Sequence, residues 1–288
     1  MLDRLKYNGA IMNRLSKEKR TQIISALVEG NSLRATARMC GANVNTVMWL
    51  LEDVGRACES YQRRVLVNLP CKRIQCDEIW SFCYAKQKNV PDDKQGILGY
   101  GDVWTWTAIC ADTKLVPCWY VGYRDAWAAQ NFIYDLAARL ANRVQLTTDG
   151  HSAYLNAVSQ AFGEEIDYAM LIKLYGPGPE GTEARYSPPE CISCSPKLIC
   201  GFPKRQYVST SFAERQNLTM RMNMRRFTRL TNAFSKKLAN HQCAVALHFM
   251  HYNFCRIHQT LRVTPAMAAG ISDHVWEISE IVALLGSN

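Results

Sequence analysis

Nowhere in this chain of 288 residues do apolar side chains run on for the roughly 18 positions that a membrane-spanning helix needs. The first twenty residues, MLDRLKYNGAIMNRLSKEKR, lack an apolar core followed by a small-residue cleavage site. No membrane partner is expected, and a cytosolic protein is. Internal repeats and low-complexity tracts are missing as well. The most telling shortage is of acid. Between Glu190 and Asp273 the only carboxylate is Glu214, against twelve Lys and Arg. That segment carries +11 while the whole chain carries +9, so the remainder is close to neutral at −2. Positive charge gathered in one region is the usual footprint of a polyanion partner, with a solvated basic helix as the bland alternative.

What is present is enough for a sizeable core: 48% of residues are hydrophobic. The length suits one large domain or two smaller ones. Twelve Cys is a high count, but they are scattered, and in a reducing cytosol most are expected to be buried thiols. Cys191 and Cys194, in CISC, are the best metal hint. A structural zinc needs four ligands and the second pair is missing, so ordinary loop cysteines are the preferred reading. His251, Cys255 and His258 would share one helix face if the helix runs that far, though core or partner-facing residues explain them as well.

Residues 15–58 read as three short helices: LSKEKRTQIISALVEG after a Ser cap, SLRATARMCG ending at Gly41, and NVNTVMWLLEDVG. Helix, tight Gly turn, helix is a helix-turn-helix arrangement, with a capping bundle as its alternative. It puts Asn43, Asn45 and Thr46 where a recognition helix meets base edges. Residues 1–65 are expected to form this small all-α unit. After the connection ending at Pro70 the pattern changes. RIQCDEIWSFCYA, DVWTWTAICADTK and LVPCWYVGY read as consecutive antiparallel strands. The helix AWAAQNFIYDLAARLA, the strand VQLTT, the helix HSAYLNAVSQAFG and the strand IDYAMLIKLYG follow. Residues 176–205, rich in Pro, Gly and Cys, read as an irregular insertion, and the last third as helical. Three strands, then helix, strand, helix, strand is an α/β order, matching a ribonuclease-H-like mixed sheet over residues 70–288.

Three acids then stand out. Asp77 lies inside the first strand among apolar and aromatic neighbours, a costly place without a task or partner. Asp149 ends the fourth strand, where sites form in α/β sheets, although Asp-Gly is also a turn former. Glu214 is the lone acid of the basic segment, read as one helix through SFAERQNLTMRMNMRR. In this fold the first and fourth strands are neighbours, so Asp77 and Asp149 would meet. Two close carboxylates repel unless a cation lies between them. Mg²⁺ or Mn²⁺ suits such oxygen ligands, and two ions about 4 Å apart drive in-line phosphoryl displacement. Arg221 follows Glu214 by two turns, about 10 Å along a helix. Arg225, Arg226 and Arg229 extend the phosphate-binding row, while Phe227, Leu230, Phe234 and Leu238 are spaced for packing. A local ion pair is the modest alternative for Glu214. Glu78 and Asp102 are rival acids, Glu78 ranking lower because it faces away from Asp77. His151 and Asn217 are supporting candidates.

IQCDEIWSF, TTDGHSAY, ERQNLTMRMNMRRFTRLTNAFSKK and YNFCRIHQTLRVTPAMAAGI together resemble the insertion-sequence-one type of bacterial transposases. The resemblance runs from about residue 70 to 285 and places the chain near the transposases and integrases with three catalytic acids. It implies Asp77, Asp149 and Glu214 as metal ligands, Arg221 as the basic residue seven places after the Glu, double-stranded DNA as partner, and a location at the bacterial nucleoid. It also implies nicking at element ends, followed by attack of the freed 3′-hydroxyl on target DNA, work that needs at least two subunits. Members of that family carry an N-terminal zinc finger with paired Cys-x-x-Cys; this sequence starts with helices, so end recognition is expected to rest on residues 15–58. A nuclease of the same fold and a non-catalytic DNA-binding regulator are the competing readings.

Overall fold

A computed structural model describes residues 15–178, 189–228 and 232–286. Three helices open it: α1 (Lys17–Val28), α2 (Leu33–Met39) and α3 (Val44–Val65). Each begins at a side-chain cap. Ser16 accepts from the Lys19 N–H, Ser32 from Ala35 and Asn43 from Asn45, satisfying donors that a helix start leaves open. α3 runs on to Val65, past the 15–58 span expected for the opening helices. The reason is packing. α7 (Leu238–Met250) crosses α3 so closely that a Cβ on Gly55 would lie 2.6 Å from the Cys243 Cα. Gly55 is therefore a contact glycine inside a helix, which its sequence cannot distinguish from a terminator.

Strands β1 (Arg73–Cys83), β2 (Gly101–Cys110) and β3 (Trp119–Gly122) form an antiparallel meander. Then come α4 (Ala126–Arg139), β4 (Gln145–Asp149), α5 (Ala153–Phe162), β5 (Asp167–Tyr175) and β6 (Cys191–Cys200). The sheet order is β3-β2-β1-β4-β5-β6, with β4 parallel to both β1 and β5. Helices flank this mixed sheet, and the fold is ribonuclease-H-like. The α4 and α5 side chains Phe132, Leu136, Tyr154 and Val158 pack with Ile74, Cys76 and Trp106 of the sheet. Ile79, Cys83, Val103 and Ile109 of the same strands face α6 (Ser211–Asn223) and α7. α8 (Pro265–Ala268) and α9 (Ile278–Ala283) complete the chain.

Two further readings change. Part of the expected irregular insertion is the regular strand β6, antiparallel to β5, with Pro196 opposite Leu171. β6 lies at the sheet edge, where a strand tolerates a residue without an N–H. The basic helix is also shorter than its sequence pattern. α6 ends at Asn223, Met224 is extended, and Arg225–Phe227 make a separate 3-10 turn. The N-terminal helices are not set apart from the sheet: Ile23, Val47 and Val54 belong to the same continuous hydrophobic cluster as Trp106 and Phe132. No helix among the described residues is long and apolar enough to cross a membrane.

Candidate active site

The register of β1 against β4 pairs Arg73 with Gln145, Ile74 with Leu146 and Gln75 with Thr147. Carried two residues further, it sets Asp77 beside Asp149 at the carboxyl end of β4. Asp77 accepts from the Glu78 N–H at 2.9 Å and from Asn217 Nδ2 at 2.8 Å. Asp149 accepts from the His151 N–H at 3.0 Å. Burial and the Asp149 charge together push Asp77 up to about 7, since both disfavour its ionised form.

Glu214 arrives from across the sheet face, and one side chain fixes where. Gln75, two residues before Asp77 on the same face of β1, accepts from the Phe212 and Ala213 N–H groups at 2.8 and 3.3 Å. These are donors of the first turn of α6, which Thr210 leaves unserved because its hydroxyl bonds Glu214 instead. The strand that carries Asp77 thus also holds the start of the helix that carries Glu214. Asn217, one turn on, closes the join at Asp77. The Glu214 carboxylate itself is taken by Lys173 of β5. Burial pushes Glu214 up, but the bonds from Lys173 and Thr210 outweigh it and hold the carboxyl below its usual value.

Among the described residues the acids that form a compact group are Asp77, Glu78 and Asp149, whose ligand oxygens all lie within 4.8 Å of one another; Glu214 is not one of them. Glu78 does leave β1 on the face opposite Asp77, toward α5, and it is buried there. Tyr154 donates to Glu78 Oε1, and Arg124 Nε donates to Oε2 at 3.0 Å. Burial, then the Asp149 charge, pushes Glu78 up to about 7. Arg124 also reaches Asp149 Oδ2 at 3.6 Å and lies over the Trp104 ring. His151 stacks on Trp106, its Nε2 buried without a hydrogen-bond partner, and burial holds its imidazole below the ordinary value.

These groups suit a divalent cation. Close, partly buried carboxylates need positive charge between them, and Asn217 adds a buried amide oxygen with no partner of its own. An all-oxygen donor set of this kind fits Mg²⁺ or Mn²⁺. Asp102 stands elsewhere, opposite Phe82 near the far end of the β1–β2 pair. Cys191 and Cys194 are exposed on β6 with sulfurs 3.6 Å apart; among the described residues they belong to no group of three or more metal-ligating side chains. His251 and Cys255 sit on a π-helical turn after α7, and His258 lies beyond it, so the three do not share a helix face.

Of the expected DNA contacts, Asn43 and Asn45 are exposed and Thr46 is half-buried at the start of α3. The Asn43 side-chain oxygen is committed to capping. Arg225 is exposed and Arg221 half-buried. Arg226 turns inward, donating to Ser235 Oγ and the Asn240 carbonyl, both at 3.0 Å. Its place in the 3-10 turn rather than on α6 is what reverses its direction. Arg229 and Leu230 lie outside the described residues.

Arg124, Tyr154, Lys173 and Gln75 were not singled out from the sequence. Lys173 had a signal: a cation inside YAMLIKLY is as anomalous as an acid inside QCDEIW. The others come from separate elements and meet only through the fold. No protein-family model matches the chain, and no curated protein matches it. Among solved structures it is similar to a piggyBac transposase synaptic complex with hairpin DNA, at 10% identity and a TM-score of 0.41, covering 98% of this chain and 73% of that one. It is also similar to the Mos1 strand transfer complex, at 11% identity and a TM-score of 0.23, covering 86% of this chain and 79% of that one. Nothing about the chemistry of this chain follows from likeness at that level.

Proposed function

We propose that the protein is a DNA transposase of the insertion-sequence-one type, cutting at element ends and joining the freed 3′ end to target DNA. The observation that carries this reading is the meeting of Asp77 and Asp149 on adjacent strands, with α6, the helix of Glu214, bonded to β1 through Gln75 and through Asn217 at Asp77. Asp77, Asp149 and Glu214 would hold the divalent ions, with Glu78 beside the first two. When bound, such ions supply activation of the attacking oxygen and charge neutralisation at the leaving one. The protein's share is placement. Asn217 orients Asp77, the His151 N–H orients Asp149, and Gln75 sets the height of Glu214.

No protein nucleophile is required. Water attacks phosphorus in line, the P–O bond to the 3′ oxygen breaks, and that oxygen leaves as a hydroxyl. The 3′-hydroxyl then attacks a target phosphodiester, losing its proton as a new P–O bond forms and the target strand breaks. Arg221 and Arg225, following Glu214 along the chain, suit backbone phosphates, and α1–α3 suit a helix-turn-helix reader of the element ends. Two ends must be held together, which calls for at least two copies of the chain.

The test is a nicking assay on an element-end duplex with Mg²⁺ or Mn²⁺, comparing wild type with Asp149→Asn. The variant is expected to bind the duplex and leave it intact. Nicking at the wild-type rate by Asp149→Asn would remove the assignment.

A further inference from the structure

Four carboxylates gather at this site, and two cations from other elements already hold three of them. Lys173 of β5 is bonded to Glu214. Arg124, in the connection between β3 and α4, binds Glu78 at 3.0 Å and approaches Asp149 at 3.6 Å. Asp77 is held by neutral donors, the Glu78 N–H and the Asn217 amide. Each cation therefore sits on a carboxylate oxygen that a divalent ion would need. Both reach solvent: the Arg124 side chain is 38% exposed and the Lys173 side chain 18%. Both would also stay near the site if displaced. Lys173 is two residues past Leu171, the register partner of Asp149, and Arg124 leads directly into the cap of α4 at Asp125.

We propose that Lys173 and Arg124 are resident counter-ions that divalent metal displaces from Glu214 and Asp149, and that Lys173, once displaced, holds a phosphate oxygen of the DNA strand being cut. The exchange has a simple driving force. A carboxylate oxygen favours a doubly charged ion over an ammonium at similar distance. A half-buried ammonium deprived of its carboxylate seeks another anion, and the substrate brings one. The phosphate half of this inference rests on the transposase reading; the competition for Glu214 does not.

The competition is measured on the full chain without DNA, by titrating Mn²⁺ and following the loss of its free-ion paramagnetic resonance signal. Lys173→Met is expected to bind Mn²⁺ about two- to fivefold more tightly than wild type, the modest gain that removing a partly exposed ion pair allows. Glu214→Gln should bind more weakly, and adding Lys173→Met to it should bring no gain, because the effect passes through Glu214. Equal or weaker binding by a folded Lys173→Met overturns the proposal. If that variant fails to fold, Arg124→Gln tests the same competition at Asp149 with the same expected direction. For the phosphate contact, duplex binding is measured in Ca²⁺ across a range of salt; Lys173→Met should lower the slope of log affinity against log salt by about one, and an unchanged slope removes that half. Wild type that binds Mn²⁺ tightly but never nicks an element end would sink the transposase reading and leave the competition standing. Nicking wild type with no gain in Lys173→Met would do the reverse.

Discussion

Asp77 is a carboxylate whose neighbours make ionisation expensive until a cation arrives. Burial and Asp149 push it up to about 7, above the value near 4 that an unfolded chain gives it. A raised folded value means that its contribution to stability is fully present below about pH 4 and lost as pH rises through about 7. Asp77→Asn removes that loss. The variant is expected to be more stable than wild type in chelator at pH 8, by on the order of a few kcal/mol, with the difference shrinking toward pH 4. Divalent metal should raise the wild-type melting temperature by about 5 °C at saturating concentration and the variant's much less. Thermal melts with and without Mn²⁺ at several pH values check both. At this scale the sequence pointed to acids that stand out against their surroundings, at 77, 149 and 214, and the first two fall in one compact group with Glu78. It ranked Glu78 below Asp77 and was silent on Arg124 and Tyr154, because the meeting of these three depends on side chains from separate elements.

Among the elements, periodic patterns located the three opening helices, the meander, and the helix–strand alternation that follows. What they missed has a common cause: a residue with two structural uses. Gly55, a residue that can end a helix, lies inside one and is a point of close helix contact. The Pro, Gly and Cys content around β6 looked irregular and instead suits an edge strand. The run of Arg and Met after Glu214 keeps a helical pattern through Arg226, while the backbone leaves the helix at Met224. Gly55→Ala is accordingly expected to cost about 1–3 kcal/mol, since the added methyl meets the backbone of Cys243 rather than a movable side-chain end. Urea unfolding followed by circular dichroism would register it as a lower midpoint. A change within about 0.5 kcal/mol, the ordinary scatter for a neutral substitution, would mean that α3 and α7 are not pressed together in this way.

For the whole molecule, the concentration of positive charge beyond Glu190 makes salt the natural probe. Affinity for duplex DNA should fall steeply as salt rises. Arg225→Ala should make that fall shallower by about one unit of slope. Arg226→Ala should leave the slope nearly unchanged and lower stability instead, because its guanidinium serves Ser235 and Asn240. Equal slope changes in the two variants, read from filter binding, would contradict their opposite orientations. The continuous core linking α1–α3 to the sheet also implies one cooperative unfolding transition rather than two.

The thiols of this molecule offer an experimental opening. Eight of the twelve are buried and two are half-buried, leaving Cys191 and Cys194 exposed at 3.6 Å from each other on the strand paired with β5. A bifunctional dye that bridges neighbouring sulfurs should label this spot first, in the natural sequence. Since β5 also carries Lys173, the label would sit on the adjoining strand and could report by fluorescence, in real time, on the arrival of metal and DNA.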